Sequence, residues 1–209
     1  MKLKSLLIVL FAALLLGSFY WITKTYDFPK KKIVRGTAPT TIPNIQNGDI
    51  IFHISQSSQS LAIQKATKSK YSHCGIIYID NDKQYVFEAI QPVKLTPLDQ
   101  WIARGKDGHY IVKRLKDADK LLTPDAVIKM RKEGEKFMGK AYDLSFEWSD
   151  EKIYCSVLIW KIYKRTLDIE LGNLEKLKDF DLSDKIVKAK MKERYGENVP
   201  LEEPVISPL

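Results

Sequence analysis

Residues 154–167, YCSVLIWKIYKRTL, carry apolar side chains on almost every face of a helix. Val157, Leu158, Trp160, Ile162 and Tyr163 leave a polar surface only at the far end, so this helix has to be buried and the domain has to be built around it. The 209 residues are enough for one such domain, and no self-similarity at a repeat period points to a solenoid.

A second apolar run is of a different kind. Residues 6–22, LLIVLFAALLLGSFYWI, contain no charge, follow Lys2 and Lys4, and close on Tyr20 and Trp21, an aromatic pair of the sort found at a bilayer interface. The segment is an export signal or a membrane anchor. No Cys stands near it for lipid attachment, and Gly17-Ser18 runs directly into Phe-Tyr-Trp instead of a small-residue cleavage site, which favours an uncleaved anchor. The expected organisation is a signal anchor or signal peptide at 1–25, a linker at 26–46 and the folded domain at 47–209. The formal charge of +8 belongs mostly to the membrane end: seven of the 34 basic residues, against Asp27 alone of the 26 acids, lie before residue 36. The remainder is too balanced for a nucleic-acid footprint. The domain is expected in the cell envelope, tethered to the membrane and outside the cytoplasm.

Within the domain, Asn47-Gly48-Asp49 is a turn ahead of a strand at 50–54, and residues 55–70 hold a weakly signalled short helix. Two β-type runs, 72–79 and 84–90, flank Asp80-Asn81-Asp82 as a hairpin. A helical turn at 98–103, a strand at 109–115, a helix from Thr123-Pro124 to 138 and a last helix at 182–194 follow. The lysine-rich stretches 129–136 and 185–194 are expected to be solvated helix faces.

Two cysteines are present, Cys74 and Cys155, with no CxxC spacing, and neither His53 nor His109 has a second ligand at metal spacing. Neither a metal nor a cofactor is called for. Cys155 opens the apolar helix, where unpaired N–H groups and the positive dipole end favour the thiolate; the alternative is a buried structural Cys. His73 and Glu88 raise the catalytic reading. With a two-residue Asp80-Asn81 loop they face each other across the hairpin, and with a four-residue loop they remain diagonal neighbours on one face. An imidazole with an orienting carboxylate is what a cysteine nucleophile requires. Cys74 is expected to point to the opposite face, away from the site, without a Cys74–Cys155 disulfide. His53 and His109 stand alone on their strands as satisfied or solvated side chains.

Several segments in the same order, Asn47-Gly48-Asp49-Ile50-Ile51-Phe52, Tyr71-Ser72-His73-Cys74-Gly75-Ile76, Val86-Phe87-Glu88-Ala89, Gly139-Lys140-Ala141-Tyr142-Asp143-Leu144, Phe146-Glu147-Trp148 and Ile153-Tyr154-Cys155-Ser156, resemble the circularly permuted NlpC/P60 hydrolases of the YiiX/YaeF type. In these papain-like enzymes a strand-borne His precedes the helix-borne Cys. The resemblance implies an α+β fold, with a small antiparallel sheet or half-barrel packed on the Cys helix. It assigns the nucleophile to Cys155, the base to His73, the third polar residue to Glu88 and an oxyanion donor to Tyr142, beside the Cys155 backbone N–H. Val157 stands where many relatives have Glu. The implied reaction is amide hydrolysis through a Cys155 acyl-enzyme, with cell-wall peptides as the default substrate. The alternatives are thiol-dependent hydrolysis or transfer of lipid or lipopeptide acyl groups, and a non-catalytic envelope binding module. An open polar groove above Cys155 would favour peptides, and a narrow apolar one acyl chains.

Overall fold

The structure is a computed structural model that describes residue 42 and residues 44–208. The expected membrane segment and most of the linker lie outside the described residues, among which no helix is long and apolar enough to cross a membrane. Strand β1 (Ile50–Ser55) is followed by helix α1 (Ser60–Thr67), the hairpin β2 (His73–Asp80) and β3 (Lys83–Glu88), strand β4 (Lys94–Pro97), helix α2 (Leu98–Arg104) and strand β5 (Gly105–Lys113). These strands form one antiparallel sheet in the order β4-β3-β2-β1-β5. A single helical turn, α3 (Ala118–Leu121), leads to α4 (Pro124–Glu135), the two-residue strand β6 (Ala141–Tyr142), its parallel partner β7 (Lys152–Ile153) and the apolar helix α5 (Cys155–Leu167). The chain then runs through β8 (Glu175–Lys176), α6 (Lys185–Tyr195) and β9 (Pro204–Val205), which pairs back on β8.

Both faces of the sheet are covered. Phe52, Cys74, Ile76, Tyr78 and Phe87 join Val157, Leu158, Ile162 and Tyr163 of α5 and Met130 of α4 in the main core. On the other face Ile51, Ile77 and Val86 pack on Leu98 and Trp101 of α2. Period-two alternation makes this division, sending His73 to the α2 side and its neighbour Cys74 to the α5 side. Helix α5 is buried as its composition requires. Even its Lys161 is only 3% exposed, and its ammonium donates to the Ser149 carbonyl and, at 2.7 Å, to Asp150 Oδ1. Thr123 caps α4 by accepting from the Ala126 N–H at 3.3 Å, with Pro124 in the first helical position as expected.

Two expectations are corrected. The hairpin turns at Asn81-Asp82, both at positive φ, instead of at Asp80-Asn81; a two-residue loop between right-twisted strands needs left-handed backbone, which Asn and Asp tolerate. Asp80 therefore pairs with Lys83 and Ile76 with Phe87, two residues away from the direct pairing of His73 with Glu88. The two are diagonal neighbours, and parity keeps them on one face. Between them Gly75 lacks the side chain that would obstruct β3: a Cβ there would lie 2.3 Å from Val86 Cγ1 and 2.9 Å from the Phe87 carbonyl oxygen. The end of the stretch read as linker is also docked. Ile42 exchanges two hydrogen bonds with the Gln84 side chain, at 2.9 and 3.0 Å, and Ile42 and Ile45 pack against the α2-side core.

Candidate active site

His73 is the first residue of β2 and Glu88 the last of β3, so antiparallel pairing brings both to one end of the sheet. Their side chains meet there, His73 Nε2 lying 2.6 Å from Glu88 Oε2. Glu88 is fully buried and also accepts from Thr96 Oγ1 at 2.5 Å, from Trp101 Nε1 at 2.9 Å and from the Arg104 guanidinium on both oxygens. Burial by itself would raise the Glu88 pKa. The His73 hydrogen bond and charge, with the bonds from Arg104 and Thr96, bring it instead to about 2. These partners hold Glu88 as a carboxylate. Thr96, Trp101 and Arg104 were not apparent from the sequence, since nothing in their spacing marks them.

Helix α5 begins at Cys155 with no side-chain cap, which leaves its first-turn N–H groups available. The Cys155 thiol is 2% exposed and close enough to the His73 ring for each to shift the titration of the other; Glu88 holds Nε2, which leaves Nδ1 as the free ring nitrogen. Cys74 is buried in the same core cluster as Cys155 and also acts on its titration. This corrects the expectation that Cys74 points away from the site. It does project to the face opposite His73, but that is the face α5 covers. The Cys74 hydrogen bond, opposed by burial and aided by the hydrogen bond and charge of His73, holds the Cys155 pKa well below that of an ordinary thiol. Burial would lower the His73 pKa, yet its bonds to Cys155 and Glu88 raise it to about 9. The arrangement can thus keep a thiolate beside an imidazolium at neutral pH.

Cys74→Ala removes one donor to that thiolate. A hydrogen bond to a charged group is worth roughly 1.5–3 kcal/mol, so the pH midpoint for Cys155 alkylation should rise by about one unit or more. Cys74→Ser keeps a donor and should stay close to the wild type. An alanine variant with an unmoved profile would reduce Cys74 to packing.

Tyr142 reaches the site through the β6–β7 pairing, which sets it opposite Ile153, two residues before Cys155. Its N–H donates to Gln91 Oε1 at 2.7 Å, and its hydroxyl accepts from Gln59 Nε2 at 3.0 Å. Burial, together with the Cys155 charge, pushes the Tyr142 pKa well up, so the phenol keeps its proton. Gln59, which precedes α1, is another side chain the sequence did not single out. His53 departs from expectation as well. It is 2% exposed, its Nδ1 has no hydrogen-bond partner, and its ring stacks on Trp101 at 3.9 Å and lies 5.2 Å from the His73 ring. Burial and the charges of His73 and Arg104 bring the His53 pKa to about 3, leaving a neutral imidazole beside the charged one. His109 is exposed, as expected. Val157 is fully buried in the main core and supplies no polar group.

Two spaces adjoin the Cys155–His73 pair. One is a narrow, almost wholly apolar cavity of about 80 Å³ between α1 and α6, with Cys155 in its wall. Ala62, Ile63 and Ala66 of α1 face Val187, Lys190, Met191 and Arg194 of α6, the latter at the i, i+3, i+4, i+7 spacing of a single helix face. Lys190 and Arg194 are thereby taken out of the solvated face to which residues 185–194 were assigned. The C-terminal segment closes another side: Ser156 Oγ donates to the Ile206 carbonyl at 2.7 Å, and the Ile206 N–H donates to Tyr154 Oη at 3.2 Å. The other space is an open polar cleft of about 960 Å³, with His53, Ser72, His73 and Arg104 in its wall. Gln59, Tyr142, Lys190 and Arg194 border both.

Residues 44–201 match a family model described as permuted papain-like amidase enzyme, YaeF/YiiX, C92 family. The chain is 53% identical over 163 residues to protein YiiX of Escherichia coli (strain K12), a match covering 78% of this chain and 79% of that protein. Its structure is similar to the crystal structure of metalloprotein yiiX from Escherichia coli O157:H7, DUF1105, with 53% identity, a TM-score of 0.75, and coverage of 78% of this chain and 89% of that one. Among the described residues no group of three or more His, Cys, Asp or Glu side chains could hold an ion, and both oxygens of Glu88 are already engaged.

Proposed function

Because the chain belongs to the permuted papain-like amidases of the YaeF/YiiX, C92 family, we propose that this cysteine amidase hydrolyses an amide formed on an apolar acyl group. The Cys155 thiolate attacks the carbonyl carbon, and the oxyanion that forms is met by the Cys155 backbone N–H and the Tyr142 hydroxyl. His73, protonated at Nδ1, gives that proton to the leaving nitrogen as the C–N bond breaks, which leaves a Cys155 thioester. Water then attacks the thioester while His73 takes one of its protons. The carboxylic acid leaves and the thiolate is restored. Glu88 holds the imidazole by Nε2 throughout, and Thr96, Trp101 and Arg104 hold Glu88.

The observation that supports the acyl reading is the narrow apolar cavity with Cys155 in its wall. In this proposal the acyl chain lies between α1 and α6 and the amine portion lies in the polar cleft, as an N-acylated amino acid or lipopeptide would require. The openness of that cleft favours a second reading, an unacylated cell-wall peptide. We also place the enzyme in the NlpC/P60 superfamily, and in the cell envelope, anchored through residues 6–22 with its domain outside the cytoplasm. To test the substrate, the full chain is incubated with N-acyl amino acids of graded chain length, peptidoglycan fragments and phospholipids, and products are identified by mass spectrometry. Cleavage of the N-acyl amino acids at rates that climb with chain length is the expected result. Turnover of peptidoglycan fragments alone would replace the acyl reading with the peptide one.

A further inference from the structure

We infer that Arg194 is an anion-recognition residue, and that the preferred amides carry a carboxylate on the amine side of the scissile bond. This rests on the amidase reading and specifies its substrate. Besides the His73 imidazolium, three cationic side chains border the polar cleft. Arg104 is committed to Glu88, and Lys190 to Glu193, whose Oε2 lies 2.6 Å from its ammonium. Arg194 is different. Its guanidinium lies 4.8 Å over the Phe146 ring and donates to Gln59 Oε1, both neutral partners, and no carboxylate pairs with it among the described residues. The charge is held in place by neutral partners, and Glu193, already paired to Lys190, feels it only through space.

Its position adds to this. Arg194 ends the α6 stripe at the junction of the apolar cavity and the polar cleft, and the Gln59 side chain that holds it also donates to the Tyr142 hydroxyl. With an acyl chain in the cavity and its carbonyl at Cys155, the amine portion must pass this junction. A guanidinium with one edge occupied still offers N–H donors in the planar fork that suits a carboxylate. An acid a bond or two beyond the amide nitrogen, as in an N-acyl amino acid, would meet that fork.

Iodoacetate and iodoacetamide are alkylating agents of nearly equal size that differ by one negative charge. The experiment measures the rates of Cys155 alkylation by each in the full chain at fixed pH and ionic strength, with peptide mapping to separate Cys155 from Cys74. The ratio of the iodoacetate rate to the iodoacetamide rate should fall roughly tenfold in Arg194→Gln, as expected for one partly buried charge close to the thiol. Arg194→Met, which keeps an apolar stem over Phe146, should show the same fall, and Arg194→Lys a smaller one. Taking the ratio removes any change in the reactivity of the thiol itself. A ratio unmoved in a folded Arg194→Gln or Arg194→Met variant overturns the assignment. If wild-type Cys155 reacts with neither reagent faster than a free thiol does, the amidase reading fails, and the ratio still decides for Arg194.

Discussion

Cys155→Ala should leave no measurable turnover of any amide that this chain hydrolyses, while the protein still folds. The route through a thioester has no substitute for the sulfur, and removing a nucleophile of this kind costs on the order of a millionfold in rate. Folding is affected much less. The substitution removes one small side chain, 2% exposed, from the wall of a cavity, so about 1–2 kcal/mol is the expected loss. His73→Ala should be as inactive but a less clean variant. Glu88 would remain buried with Thr96, Trp101 and Arg104 as its partners, short of one charged donor, so melting should fall further than for Cys155→Ala. Product analysis together with thermal melts separates the two effects. Wild-type turnover by Cys155→Ala would remove the thioester mechanism.

What the sequence made legible divides along physical lines. Helix α5 was legible because apolar residues on all its faces allow only burial, and its first residue is the thiol. That His73 and Glu88 share a face was legible because parity survives any even change of register. The register itself was not: Asp80, Asn81 and Asp82 all suit a tight turn, and the sequence does not choose between the two pairs. Alternation placed Cys74 on the face opposite His73, but which helix covers that face depends on contacts between segments some eighty residues apart. The same long-range layering brings Thr96, Trp101 and Arg104 onto Glu88. Helix α6 was misread for a different reason. Its cavity-facing stripe includes Lys190 and Arg194, so its polar and apolar faces barely separate in composition, and a cavity is a property of no single segment.

Glu88→Gln is the other large effect. The substitution keeps the shape of the side chain and removes the charge that supports the His73 imidazolium, so the His73 pKa should fall from about 9 and the Cys155 pKa should rise. The ion pair exists above the Cys155 pKa and below the His73 pKa, and both limits move inward. Turnover at neutral pH should drop by roughly ten- to ten-thousandfold, as when other oriented imidazoles lose their carboxylate. Part of the effect is geometric. A glutamine NH₂ must turn one edge toward His73, Thr96, Trp101 or Arg104, each a donor to Glu88 in the wild type, so some stability is lost with the rate. Alkylation of Cys155 by iodoacetamide across pH isolates the electrostatic part and needs no substrate. Wild-type Cys155 should react well below the unperturbed thiol pKa of about 8.5, and the Glu88→Gln profile should move up toward that value. A wild-type profile that already matches a free thiol would mean that His73 and Glu88 do not activate Cys155, and the non-catalytic binding module would then be the better description of the site.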